Sequence, residues 1–292
     1  MTWWCTGMRW GGGGPGMGWT GDGGAERESA VRFGESVAFR VAGPRRCLGV
    51  WRGGRRSACP GWAAVPVRGT RAQCAECAGI DRAQSVAADT IADDPRPYHV
   101  YLAWFGDGLV KVGITGVGRG SARLLEQGAV AYTWLGQGPL MAVRRAEELL
   151  RVALGVPDRI PYATKRIVRG GVETERGRAE LERAHRVAVG LDGWPESLAR
   201  LPCAVVGHEE VFGLGAIDGV DAVVSGLGEG AVVAGRVVAA AGPDLHLAES
   251  GGRRLVVDTR VLAGWPLVGA GDGEAGMGFE VREVPAVQSG LF

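Results

Sequence analysis

The chain has 292 residues and 46% hydrophobic content, enough for about two domains with cores of their own. It holds no apolar run of roughly 18 or more residues that would span a membrane, and no basic segment followed by an apolar stretch, so a cytoplasmic protein without a membrane partner is expected. A net charge of +1 conceals a split: residues 201–292 carry 5 basic against 12 acidic side chains, whereas Arg40–Arg82 is rich in arginine and opposed only by Glu76 and Asp81, as on a phosphate-facing surface.

Residues 1–25 are rich in glycine, with Trp3, Trp4, Trp10 and Trp19 scattered among them and no periodicity. This composition predicts a disordered extension. Val31, Phe33, Val37, Phe39 and Val41 fall mostly two apart, the spacing of a strand. Residues 30–97 then read as a turn-rich module with a short strand at Trp62–Val67, a helix over Gln84–Ile91 and a hinge at Asp93–Pro97.

The module contains Cys47, Cys59, Cys74 and Cys77. A Cys-x-x-Cys pair presents two thiolates to one ion from a single turn, and Cys47 and Cys59, each in a turn context, can supply the other corners of a tetrahedron. Four thiolates leave no open position for water, so the expected zinc is structural. No βαβ pattern surrounds Cys74 and Cys77, which argues against a thioredoxin-like redox pair. Arg45, Arg46, Arg52, Arg55 and Arg56 flank the cysteines and are candidate nucleic-acid contacts on a rigid knob.

Residues 98–195 predict alternating strands and helices. Tyr98–Phe105 and Leu109–Ile114 form a hairpin across Gly106-Asp107-Gly108. A helix over Arg119–Gln127, a strand over Ala129–Leu135 and a helix over Leu140–Leu154 follow; Ala146, Leu149, Leu150 and Ala153 line one side of the last. A charged helix over Thr174–Val189 covers the outside, and Trp194-Pro195 marks a boundary. Residues 201–292 return to short Val-rich runs divided by glycines, as in a small β-barrel or sandwich. That acidic domain, with His208 and His246 isolated, is expected to support the molecule or dock a protein partner. The fold class is α+β: a small four-cysteine zinc-ribbon-like module, a sheet flanked by helices, then a β-rich C-terminal domain.

The hairpin of His99-Val100-Tyr101-Leu102 and Lys111-Val112-Gly113-Ile114-Thr115, with Arg123 on the next helix and Glu147 further on, resembles the GIY-YIG nuclease domain. The resemblance covers roughly residues 98–155, and the order of two strands, helix, strand and helix is similar as well. It implies a divalent-metal-dependent endonuclease acting on DNA or RNA. Tyr101 would help activate a water, Arg123 would steady the charged phosphorane, and Glu147 would hold one magnesium or manganese ion. Positive charge placed where oxygens accumulate negative charge is what phosphoryl transfer needs. One carboxylate plus waters suits a hard cation.

The sequence departs from that pattern at three positions. His99 replaces the glycine of the first motif, Lys111 stands where the second motif has its tyrosine, and Gln127 stands where many members carry a histidine. Lys111 can orient or protonate a phosphate oxygen. Glu148 competes with Glu147, and Leu150 three residues on favours Glu147. The whole chain also resembles an uncharacterised bacterial family of unknown function with a four-cysteine module ahead of the core. Two other readings stand beside the nuclease: a catalytically inactive DNA- or RNA-binding module, and a protein-interaction scaffold. Each residue has a plain alternative too: Tyr101 as a sheet aromatic, Arg123 paired with Glu126, and Glu147 paired with Arg151.

Overall fold

A computed structural model describes residues 2–52, 55–83, 94–271 and 276–284. The chain divides into two units, Met1–Thr90 with Gly219–Phe292, and Ile91–Asp218. Both strands and helices are present, arranged around several sheets.

The first unit opens with β1 (Trp3–Gly11) and β2 (Gly14–Gly21), an antiparallel hairpin extended by β3 (Glu26–Ala30). The expectation of a disordered extension over residues 1–25 is thereby corrected. The reason is burial against distant residues. Trp4, Cys5, Trp10 and Met17 are buried. Trp10 Nε1 donates to the Gly242 carbonyl at 2.8 Å, the Cys5 amide to the Trp265 carbonyl at 2.9 Å, and the Met8 amide to Thr259 Oγ1 at 3.0 Å.

Next come β4 (Ser36–Val41) and the cysteine module, with β5 (Val50–Arg52), β6 (Arg55–Ser57) and α1 (Ala75–Ala83). The strand expected at Trp62–Val67 is reduced to an isolated bridge between Arg46 and Ala64. The helix expected over Gln84–Ile91 and the first residue of the hinge lie outside the described residues.

The second unit is built on β7 (Pro97–Trp104), β8 (Val110–Gly116), α2 (Ala122–Gln127), β9 (Ala131–Pro139) and α3 (Leu140–Ala153). It continues through α4 (Tyr162–Val168), α5 (Thr174–Val189), β10 (Ala199–Arg200), β11 (Val205–Gly207) and α6 (Glu209–Phe212). The sheet order is β10-β9-β7-β8, with β11 also on β9, and the pairings are antiparallel.

Leu140, Ala142, Val143, Ala146 and Leu150 are buried, an apolar stripe that α3 packs against β7, β8 and β9. α5 keeps the bounds its charge pattern predicts, but it is more than an outer cover. It buries Gly177, Leu181, His185 and Ala188. Gly177 rests on the indole of Trp104, where an added Cβ would come within 2.6 Å of the ring, and Trp104 Nε1 donates to Glu180 at 2.8 Å. The expected boundary near residue 195 moves to Asp218, because β10 and β11 complete the sheet edge beside β9.

The chain then returns to the first unit with β12 (Ala222–Ala241), β13 (Asp244–Ala248), β14 (Arg254–Asp258), α7 (Thr259–Leu262), β15 (Leu267–Gly269) and β16 (Met277–Glu283). The start of β12 pairs with β14 in parallel, its end pairs with β13 antiparallel, and β13 pairs with β14. The sheet therefore curls back on its own long central strand. β4 lies between β12 and β15 in the same sheet, so residues 30–83 and 219–284 share one architecture instead of forming the two separate domains expected. No helix among the described residues is long and apolar enough to cross a membrane.

Candidate functional site

Strand alternation and register put His99, Tyr101 and Ala103 of β7 on one sheet face with Lys111, Gly113 and Thr115 of β8 and with Tyr132 and Trp134 of β9. Gly113 gives this face its shape. An added Cβ there would lie 2.5 Å from Tyr101 Oη, so the phenol can lie across β8 only over a residue without a side chain. The Tyr101 hydroxyl accepts a hydrogen bond from Gln127 Nε2 at 2.8 Å. The Gln127 carbonyl in turn accepts from Lys165 Nζ at 2.9 Å. Leu124 of α2 joins Tyr101, Phe105 and Tyr132 in a small apolar cluster that fixes this helix on the sheet.

Of the side chains singled out in the sequence, Arg123 and Glu147 each act electrostatically on both Tyr101 and Lys111. Tyr101 is 1% exposed; burial pushes its phenol above the usual range, Gln127 and Arg123 oppose that rise, and Glu147 adds to it. Lys111 is 8% exposed, with Nζ 5.7 Å from the Tyr101 ring centroid and donating to the Asp158 carbonyl at 3.0 Å. Burial lowers the Lys111 ammonium to about 8, Arg123 pushes the same way, and Glu147 and Asp158 resist. Burial raises the Glu147 carboxyl, Lys111 counteracts it, and Asp158 raises it further. The Arg123 side chain remains 46% exposed and lies 3.8 Å from Glu126, the pairing its helix spacing predicts.

The two glutamates differ in their surroundings. Glu148 is 62% exposed and paired with Arg151 by bonds of 2.8 and 2.6 Å, so Arg151 partners Glu148 where the spacing pointed to Glu147. Glu147 is partly buried, and the charge of Lys111 acts on it. A half-buried carboxylate whose charge burial opposes is stabilised by a cation, and its hard oxygens suit the magnesium class. Asp158 and Gln127 are contributors that sequence reasoning did not assign. Asp158 meets Lys111 from 47 positions away, and no local pattern signals such a contact.

In the first unit Cys47, Cys59, Cys74 and Cys77 gather, their sulfurs all within 4.8 Å of one another and the Cys59 and Cys74 sulfurs 4.0 Å apart. A tetrahedral zinc with bonds of about 2.3 Å to sulfur needs S···S edges of about 3.8 Å, so this group can hold a structural metal. The backbone is arranged for thiolates. Amides of Gly49 and Cys74 donate to Cys47 Sγ at 3.4 and 3.2 Å, and Gly49 adopts φ 76°, a conformation that favours glycine. Ala63 leads the backbone hydrogen bonds that bring the Cys59 thiol down to about 7, while burial pushes Cys47 and Cys77 up. Thiols this close ionise together only around a cation.

The flanking arginines do not form the uniform phosphate-gripping knob expected. Arg45 is 2% exposed and directs Nε to the Ala263 carbonyl at 2.8 Å, Nη1 to Pro66 at 2.8 Å and Nη2 to Arg260 at 3.4 Å. It is a buried strut and cannot reach a phosphate. Arg56 donates to the Leu48 carbonyl at 3.1 Å and sits 3.7 Å from Glu26, and Arg46 donates to the Trp62 carbonyl at 3.2 Å. Arg55 is exposed on β6, and Arg52 lies on β5.

Residues 34–267 match the family described as "Protein of unknown function (DUF2797)". The chain belongs to this family. The matched span includes the cysteine cluster and the Tyr101–Glu147 group, and it begins beyond the N-terminal hairpin. No curated protein and no solved structure matches the chain.

Proposed function

We propose that this member of the DUF2797 family is a nucleic-acid-binding protein whose second unit is a GIY-YIG-like core that cleaves phosphodiesters, and whose cysteine cluster holds structural zinc. The observation that carries the reading is Lys111 Nζ 5.7 Å from the Tyr101 ring on the face shaped by Gly113, with Arg123 and Glu147 close enough to act on both. Arg123, half exposed, supplies positive charge to the equatorial oxygens of a phosphorane. Lys111, with its ammonium near 8, carries charge for phosphate at neutral pH and can surrender a proton to a leaving oxygen. Tyr101 orients the attacking water, its hydroxyl fixed by Gln127. Glu147 would hold one magnesium or manganese ion, which when bound neutralises charge on the phosphate.

Incubating the purified chain with labelled DNA and RNA in Mg²⁺ or Mn²⁺ tests this. The expected result is strand cleavage that Arg123→Ala and Glu147→Ala abolish, with binding that weakens steeply as salt rises. Absence of both cleavage and salt-sensitive binding would overturn the proposal. A second reading, a binding module without catalysis, draws support from the depth at which Tyr101 is buried and from its engagement with Gln127. Salt-sensitive binding without cleavage in any divalent metal selects it.

A further inference from the structure

Beside Tyr101, the same sheet face carries an aromatic arrangement that the proposed chemistry does not use. The rings of His99 and Trp134 lie 4.3 Å apart at an interplanar angle of 22°, a true stack. Trp134 is held edge-on by Tyr101 at 6.0 Å and by Tyr132 at 4.9 Å, so its plane is fixed from two sides. Both members of the stack are only half-buried. The backbone of Gly136 hydrogen-bonds to the His99 ring. Burial holds the His99 imidazole below its ordinary range, which favours the neutral ring.

We infer that the His99–Trp134 stack is a platform for one unpaired base of single-stranded DNA or RNA, next to the group proposed to receive that strand's phosphate. The inference rests on the nucleic-acid reading above and narrows it to a substrate class. His99 and Tyr101 are two residues apart on one face of β7, a separation of about 7 Å along the strand. A strand leading from the stack along β7 passes Tyr101 and then Lys111, which pairs opposite Ala103, with Arg123 acting on both, and these charges complement phosphate. Bases inside a duplex are already stacked on their neighbours, so an unpaired nucleotide is the form that fits.

The test uses the full zinc-loaded chain, without added magnesium or manganese so that no cleavage occurs, and fluorescence anisotropy with short labelled single strands, their duplexes, and versions carrying one abasic position moved along the strand. The wild type is expected to prefer single strands and to lose about tenfold in affinity at one abasic position. His99→Ala should bind the intact strand about tenfold more weakly and become insensitive to the abasic site, and His99→Phe should restore both properties. A purely structural role for His99 would leave the abasic dependence intact in every variant. Salt-sensitive binding indifferent to abasic sites, or a preference for duplex, would overturn the platform and leave the nucleic-acid reading standing. Absence of salt-sensitive binding would overturn that reading itself. Parallel DNA and RNA series identify which strand is preferred.

Discussion

Lys111 shows how a single position links folding to chemistry. Its ammonium is buried beside Arg123, which lowers it from 10.5 to about 8, while Glu147 and Asp158 hold it back. Between those two values the unfolded chain still holds a proton that the folded chain has released, so stability rises with pH across that window. The shift amounts to roughly 3 kcal/mol as an order of magnitude. Urea unfolding of wild type and Lys111→Met from pH 7 to 10.5 should show the wild type gaining stability relative to the variant as pH rises beyond 8. Parallel profiles would contradict the burial assigned to Lys111. The members of this group on β7, β8, α2 and α3 were legible in the sequence because a short motif marks them in order. Their contacts were not: nothing near Lys111 announces Asp158, and the buried Arg45 looked the same as the exposed Arg55.

Among the elements, legibility followed the distance over which a pattern is satisfied. β7, β8, α3 and α5 were readable because their alternation or helical stripe is complete within each segment. The β1–β2 hairpin was not, since its tryptophans and backbone find their partners at Gly242, Thr259 and Trp265, more than two hundred residues away. Within the second unit, the pairing of β7 with β8 depends on the empty position at Gly113. Gly113→Ala should destabilise the chain by about 1–3 kcal/mol, because its methyl group drives into a buried phenol that has no room to move. In a Tyr101→Ala background the same change should cost clearly less, a coupling that a double-mutant cycle measures. Additive effects would mean that the phenol does not occupy that space.

At the scale of the whole molecule, the first unit is assembled from both ends of the chain. The cysteine cluster sits in a core that includes Trp4, Trp62 and Ala263, with Trp4 and Trp62 edge-to-face at 4.7 Å. A metal held there ties the N-terminal hairpin to the C-terminal strands as well as ordering its own loops. Elemental analysis should find about one zinc per chain; removing it by chelation, or by Cys74→Ser, should lower the unfolding midpoint and alter tryptophan fluorescence. A chain that unfolds identically with and without chelator would contradict a structural metal. The functional account depends on a different cation. Electron paramagnetic resonance titration of Mn²⁺ into the intact zinc-loaded chain tests it most directly. One Mn²⁺ site is expected, lost in Glu147→Gln and kept in Glu148→Gln. Equal Mn²⁺ binding by the wild type and Glu147→Gln, or none by the wild type, would contradict a cation-dependent phosphodiester site at Glu147.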